Sequence, residues 1–296
     1  DPNLAVAEGT YGIGGNRMLN CTLRNVTAEG SDIHWGVMGT NLNKNMLIDH
    51  CKLNRIDVHY HAWNITILNS TIGTKGISVT GGGQLTIENT TKYGNSFVSF
   101  RQDYGAKWDG QIHIRNCRLI PTGNGAVRVL FYPMRDFDHQ YPVGFGRSIT
   151  VDQLLIDYQG VPNNQHPCWL LDIVPFSITS SNTRLFFPHH LEFRNVRVEG
   201  RKMGVRLLEI HGPQHYKLDR AAAFDGDQLI DPNCRIVFEQ IHLERMEHHS
   251  QQNADVHLLL GGPETEQYTD AQALYPEIHI INCHGFRANF ARSIAR

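Results

Sequence analysis

What the chain lacks narrows its class first. No stretch of its 296 residues approaches the roughly 20 consecutive apolar residues of a membrane span. No signal-peptide pattern opens it. Neither sign of charge dominates: 27 Lys and Arg stand against 29 Asp and Glu, a formal net charge of −2. Such a balance supplies no basic field for nucleic acid. Cysteine is scarce, at six, and never forms Cys-x-x-Cys, which excludes zinc clusters of that kind and argues against a disulfide scaffold. Gly81-Gly82-Gly83 lacks the strand-to-helix setting of a phosphate loop and reads as a tight corner. Asp225-Gly226-Asp227 lacks the remaining ligands of a calcium loop. The pairs His189-His190 and His248-His249 are poor chelators, because adjacent residues of a strand point to opposite faces. The expectation is a protein with no metal, no cofactor, no membrane and no nucleic acid.

What the chain has is one short phrase many times over: apolar, any, apolar, any, then Asn and often Cys. It reads Met46-Leu47-Ile48-Asp49-His50-Cys51, Ile65-Thr66-Ile67-Leu68-Asn69-Ser70, Leu85-Thr86-Ile87-Glu88-Asn89-Thr90 and Ile112-His113-Ile114-Arg115-Asn116-Cys117. It returns at Leu191 and Ile278, and more weakly at Met18, Ile149 and Ile236. The first full copies are about 19 to 20 residues apart, too short for a βαβ unit of roughly 30 residues. Short strands repeated with loops between them predict an all-β stack of coils, a parallel β-solenoid with long loop insertions and one domain over 1–296. A second strand follows most copies, as at Ile56-Asp57-Val58-His59, Ile77-Ser78-Val79-Thr80 and Val127-Arg128-Val129. Asn20, Asn69, Asn89, Asn116, Asn195 and Asn282 are expected at one corner, where Asn tolerates a left-handed bend and can bond its neighbours as a ladder. The Asn-x-Ser/Thr triplets at Asn20, Asn25, Asn64, Asn69 and Asn89 read as that corner chemistry rather than as glycan acceptors. Cys21, Cys51, Cys117 and Cys283 are expected as a reduced stack, with rungs close enough for a Cys21–Cys51 bridge as the alternative.

The stretch Arg55-Ile56-Asp57-Val58-His59-Tyr60-His61-Ala62-Trp63 is where chemistry concentrates. With Ile56 and Val58 inward, alternation puts Asp57, His59 and His61 on one outward face. Later rungs add Ser78 and Thr80, then Arg101 and Asp103, then Arg128. Aromatic rings follow at Tyr104, Trp108 and Tyr132. Carboxylates supply acid, base or nucleophile for glycoside cleavage, arginines grip sugar carboxylates, and aromatic faces suit sugar rings. Asp57 and Asp103 are the expected acid and base, in either order, with His59 or His61 tuning or positioning one of them. His61, Trp63, Arg101, Tyr104, Lys107, Trp108, Arg128 and Tyr132 are the expected substrate contacts. Two rungs would separate the two carboxylates by roughly 9.6 Å, near the upper end of the roughly 6.5–9.5 Å of inverting enzymes. Asp172 and Glu209, on the corresponding strand of later rungs, are further candidates. The loop from Phe131 to Phe145 is a candidate groove wall. The same cluster also fits a solvated polar face, a lyase with a His or Tyr base, or a glycan-binding solenoid without chemistry.

The repeated Asn-Cys, Asn-Ser and Asn-Thr corners resemble those of right-handed parallel β-helix proteins of the pectate-lyase-like type. The stretch from Gly36-Val37-Met38-Gly39-Thr40-Asn41 to Trp63 resembles phage tailspike depolymerases, the colanidase-like ones that cut bacterial exopolysaccharide. The resemblance implies a homotrimer that hydrolyses an acidic surface polysaccharide, on a virion tail or outside the cell. It also implies an N-terminal virion-attachment part. The chain opens at Asp1 without Met and enters repeats almost at once, so a preceding segment is expected.

Overall fold

A computed structural model of the protein describes residues 11–28, 36–101, 107–133, 143–174, 185–186, 188–201, 206–210, 235–243, 257–260 and 277–283. Among these residues the regular structure is all strand. Twenty strands join in one sheet through parallel pairings between successive rungs. The register sets whole columns of side chains. Ile48, Ile67, Ile87, Ile114, Val151, Phe193 and Phe238 stand one above the next and are buried. Each such side chain contributes roughly 1.5–3 kcal/mol by leaving water. Phe193 and Phe238 stack with ring centroids 5.6 Å apart. The phrase seen in the sequence is thus the core-facing strand of each rung.

The corners explain the Asn. Asn25, His50, Asn69, Asn89, Asn116, Gln153, Asn195, Gln240 and Asn282 all have φ between 49° and 57°. That left-handed region costs most L-residues roughly 1–2 kcal/mol, and Asn enters it most readily because its short amide bonds locally. Asn116 Nδ2 donates to Asn89 Oδ1 at 2.7 Å, Asn89 to Asn69 at 3.1 Å, and Asn69 to Asp49 Oδ1 at 2.9 Å. Where His50 or Gln153 takes the corner, the preceding aspartate accepts instead, as Asp152 does from Asn195 at 2.7 Å. Asn20 departs from the expectation. It belongs to a second corner, bonded by Asn45, which is bonded in turn by Asn64. Cys21 therefore lies opposite Met46 rather than beside Cys51. The five cysteines among the described residues are free. Burial pushes the Cys117 thiol up to about 12, so it behaves as a small apolar group.

One core column is interrupted by a charge. Leu53, Ile72, Lys92, Leu119, Ile156 and Val198 succeed one another, and Lys92 is 1% exposed. Burial pushes its ammonium down to about 7 from 10.5. The sign follows from proton binding. Below pH 7 both folded and unfolded chains hold the proton, and the folded chain bears the full burial cost. Between pH 7 and 10.5 the folded amine is neutral, so stability rises with pH. The shift corresponds to a cost on the order of 5 kcal/mol. Lys92→Met is expected to raise the melting midpoint by several degrees at pH 6 and by much less at pH 10, measured by calorimetry.

Candidate functional site

The strand Lys52–Leu68 carries Asp57 between Ile56 and Val58, both of which face the core. Asp57 faces outward, yet it is 1% exposed, because four side chains close over it. Tyr11 Oη donates to Asp57 Oδ2 at 2.9 Å, Arg55 NH2 lies 2.7 Å from that oxygen, and His59 Nε2 lies 3.0 Å from it. Arg101 NH1 bonds Oδ1. Arg101 follows Ser99, which sits two rungs beyond Asp57 through Ser78. Only small side chains at Ser78 and Ser99 leave it a path. Tyr11 fits for a similar reason: a Cβ at Gly39, the rung below Asp57, would lie 2.1 Å from its ring.

Tyr11 Oη is also 2.9 Å from His59 Nε2. With the phenol hydrogen directed at Asp57, both His59 contacts are satisfied when the ring carries a hydrogen on Nε2. Burial first, and the Asp57 charge second, push the Tyr11 phenol above its usual range. Tyr11 is therefore a proton donor at neutral pH.

A second cluster lies further along the same strip. Asp57, Ser78, Ser99, Phe131, Asp172 and Glu209 form one column through successive pairings. Arg128 Nε donates to Asp172 Oδ2 at 2.5 Å. Its guanidinium carbon sits 4.3 Å from the Phe131 ring centroid and 4.8 Å from that of Trp169. This holds the cation by stacking as well as by charge. Glu209 stands on the strand beside Asp172, directly in register with it. Asp57 and Asp172 are four rungs apart, roughly 19 Å, too far to act on one bond.

Other expected residues fall elsewhere. Trp108 and Tyr132 are wholly buried; Tyr132 stacks on Phe100 at 4.1 Å and meets Phe145 edge-on at 5.3 Å. Neither ring offers a face to a sugar. Lys107 is also buried, with Nζ donating to the carbonyls of Pro133, at 3.3 Å, and Arg101. Lys107, at φ 55°, turns a corner just before Trp108, while in the strand of Tyr132 the alternation breaks where Val129 and Leu130 are both buried. His59 and His61 do not share a face. Tyr60, at φ 58°, turns the corner between them. His61 instead stacks on Trp63, with centroids 6.4 Å apart, and burial holds its imidazole below the ordinary range against the pull of Asp109. Trp63 is 45% exposed and lies over Gly82 and Gly83, whose missing side chains make room for it. Asp103, Tyr104 and the loop residues Arg135, Asp136, Asp138 and His139 lie outside the described residues, as does the side chain of Glu209. Tyr11, Trp169 and the clamp role of Arg55 were not anticipated. The signal for Tyr11 is indirect: Gly14 and Gly39 occupy the outward column below Asp57 and leave space for a ring.

Asp57→Asn is expected to destabilise the protein by about 3–5 kcal/mol in urea denaturation, because it strands two guanidiniums in a covered site. Gly39→Ala is expected to cost about 1–3 kcal/mol in the wild type and little once Tyr11 is replaced by Ala, a coupling that a double-mutant cycle reads directly.

No family model matches the chain, and no solved structure does. Its sequence is similar to a curated protein of Klebsiella phage P510 described as a depolymerase, capsule KL64-specific. The two are 25% identical over 124 residues, which is 38% of this chain and 12% of that protein. The match thus spans about an eighth of that relative's length.

Proposed function

We propose that this chain is the glycan-cutting body of a phage-type depolymerase, an endo-acting glycoside hydrolase on an acidic bacterial capsule or exopolysaccharide. The observation that carries this reading is the outward column from Asp57 to Asp172, flanked by Arg55, Arg101 and Arg128, with Glu209 next in register. A glycan laid along it meets carboxylates for chemistry and guanidiniums for its own carboxylates. The capsule-specific description of the phage relative supports a polymer substrate. The rungs then wind as a right-handed parallel β-helix, the hand nearly all parallel crossovers take.

The acid and nucleophile are assigned to Asp172 and Glu209. Neighbouring strands lie roughly 4.8 Å apart, close to the roughly 5–5.5 Å of retaining enzymes. Arg128 on one oxygen of Asp172 orients it. Asp57, enclosed by four side chains, serves as the anchor that fixes Arg55 and Arg101 for binding. Asp103 stays in the proposal as the partner Asp57 would need for the inverting alternative. A lyase reading is favoured by one observation: Tyr11, His59 and the arginines meet at one point, so that His59 Nδ1 could take a proton and Tyr11 return one.

Viscosity and product size after incubation with purified Klebsiella capsule and colanic-type polysaccharides test this. Hydrolysis predicts shortening without an ultraviolet-absorbing unsaturated uronate, and a loss of about 10²–10⁴-fold in Asp172→Asn and Glu209→Gln, with the fold verified by circular dichroism. Unsaturated product, lost in His59→Gln but kept in Asp172→Asn, would establish the lyase instead. Binding of polymer without any cleavage would reject both.

A further inference from the structure

A groove of about 630 Å³ runs along a different side of the rungs, beside the Asn corner. Its lining contains no aspartate and no glutamate but includes Arg118, Arg197 and His242. These three stand in one outward column with Leu155 between the two arginines. From Arg118 to His242 the column advances three rungs, roughly 14 Å. Arg118 NH2 bonds Asp157, and Arg197 NH1 lies 3.4 Å from Glu199, so each guanidinium spends one nitrogen on a carboxylate outside the groove and keeps other N–H groups for its interior. Corner amides form the facing wall. The ladder there is interrupted: Asn116 donates downward to Asn89, while Asn195 donates to Asp152 rather than to Gln153. Gln153 and Asn116 both line the groove and are exposed there.

We infer that this groove is a second, non-catalytic binding site for an anionic glycan. The chemistry selects the ligand. Two guanidiniums two rungs apart suit carboxylates recurring along an extended uronate chain, Leu155 gives an apolar ledge for a ring between them, and the amides pair with hydroxyls. The groove holds a distant stretch of polymer while the strip bearing Asp172 works on another, which raises the local concentration of the chain at that strip. The inference stands apart from the catalytic assignment, since a protein that cuts nothing would still show the binding.

Affinity electrophoresis through gels containing polygalacturonate or dextran tests it. Wild type is expected to be retarded by polygalacturonate and not by dextran. Arg197→Gln is expected to weaken that binding about tenfold, in line with the loss of a charge-assisted hydrogen bond. Leu155→Glu places a carboxylate between the arginines and should weaken retardation at least as much as Arg197→Gln does. Both positions are on the outer surface, so melting midpoints should stay within about 2 °C of wild type. Equal retardation of wild type and both groove variants would overturn the inference. So would absence of retardation in wild type.

Discussion

Parallel pairing in register is the constraint on which everything else rests. Once Ile48 stands under Ile67 and Ile67 under Ile87, every residue between them acquires fixed neighbours above and below. A core column selects apolar side chains, Lys92 being the charged interruption of one of them, and an outward column becomes a linear array of whatever the chain places there. The corner column obeys the same rule with a different demand, a left-handed backbone, and Asn meets it in most rungs. Core, corner ladder and both polar strips are therefore consequences of one register, read at different offsets from the same strand.

The fold was legible because its demands repeat. A buried column that requires Ile, Val or Phe at each turn writes its period into the chain, and the αL corner writes Asn beside it. Legibility failed where a corner was occupied by something other than Asn. Tyr60 and Lys107 turn the backbone as Asn does but carry no such mark, so strict alternation carried through Tyr60 assigned His61 to the face of Asp57, and nothing local marked Trp108, just past Lys107, as core. The weak first copy misled in the same way, since Asn20 marks a second corner and the true counterpart of Met46 is Cys21.

The candidate site was legible in kind and less so in detail. Asp57, Arg101, Arg128 and Asp172 were each visible as polar residues where an outward strand position was expected, and the register brings them into one strip. Their pairing was not visible. That Asp57 is covered depends on Tyr11 arriving from 46 residues away over the bare backbone of Gly39. That Arg128 is sandwiched depends on Trp169 following it in the next rung. Such contacts are set by loop lengths and by what small residues leave empty, quantities that no local pattern records.

The reach of Arg101 to Asp57 changes how the array comes apart. A stack in which each rung touches only its neighbours frays one unit at a time from either end, with stability adding up link by link. Arg101 and Asp57 are joined across the intervening rung of Ser78, so that rung cannot peel away while both its neighbours remain in place. A next-nearest coupling of this kind fuses three rungs into one unfolding unit. Hydrogen exchange would then show the amides around Asp57, Ser78 and Ser99 opening together, as a clasped block within an otherwise sequentially melting stack.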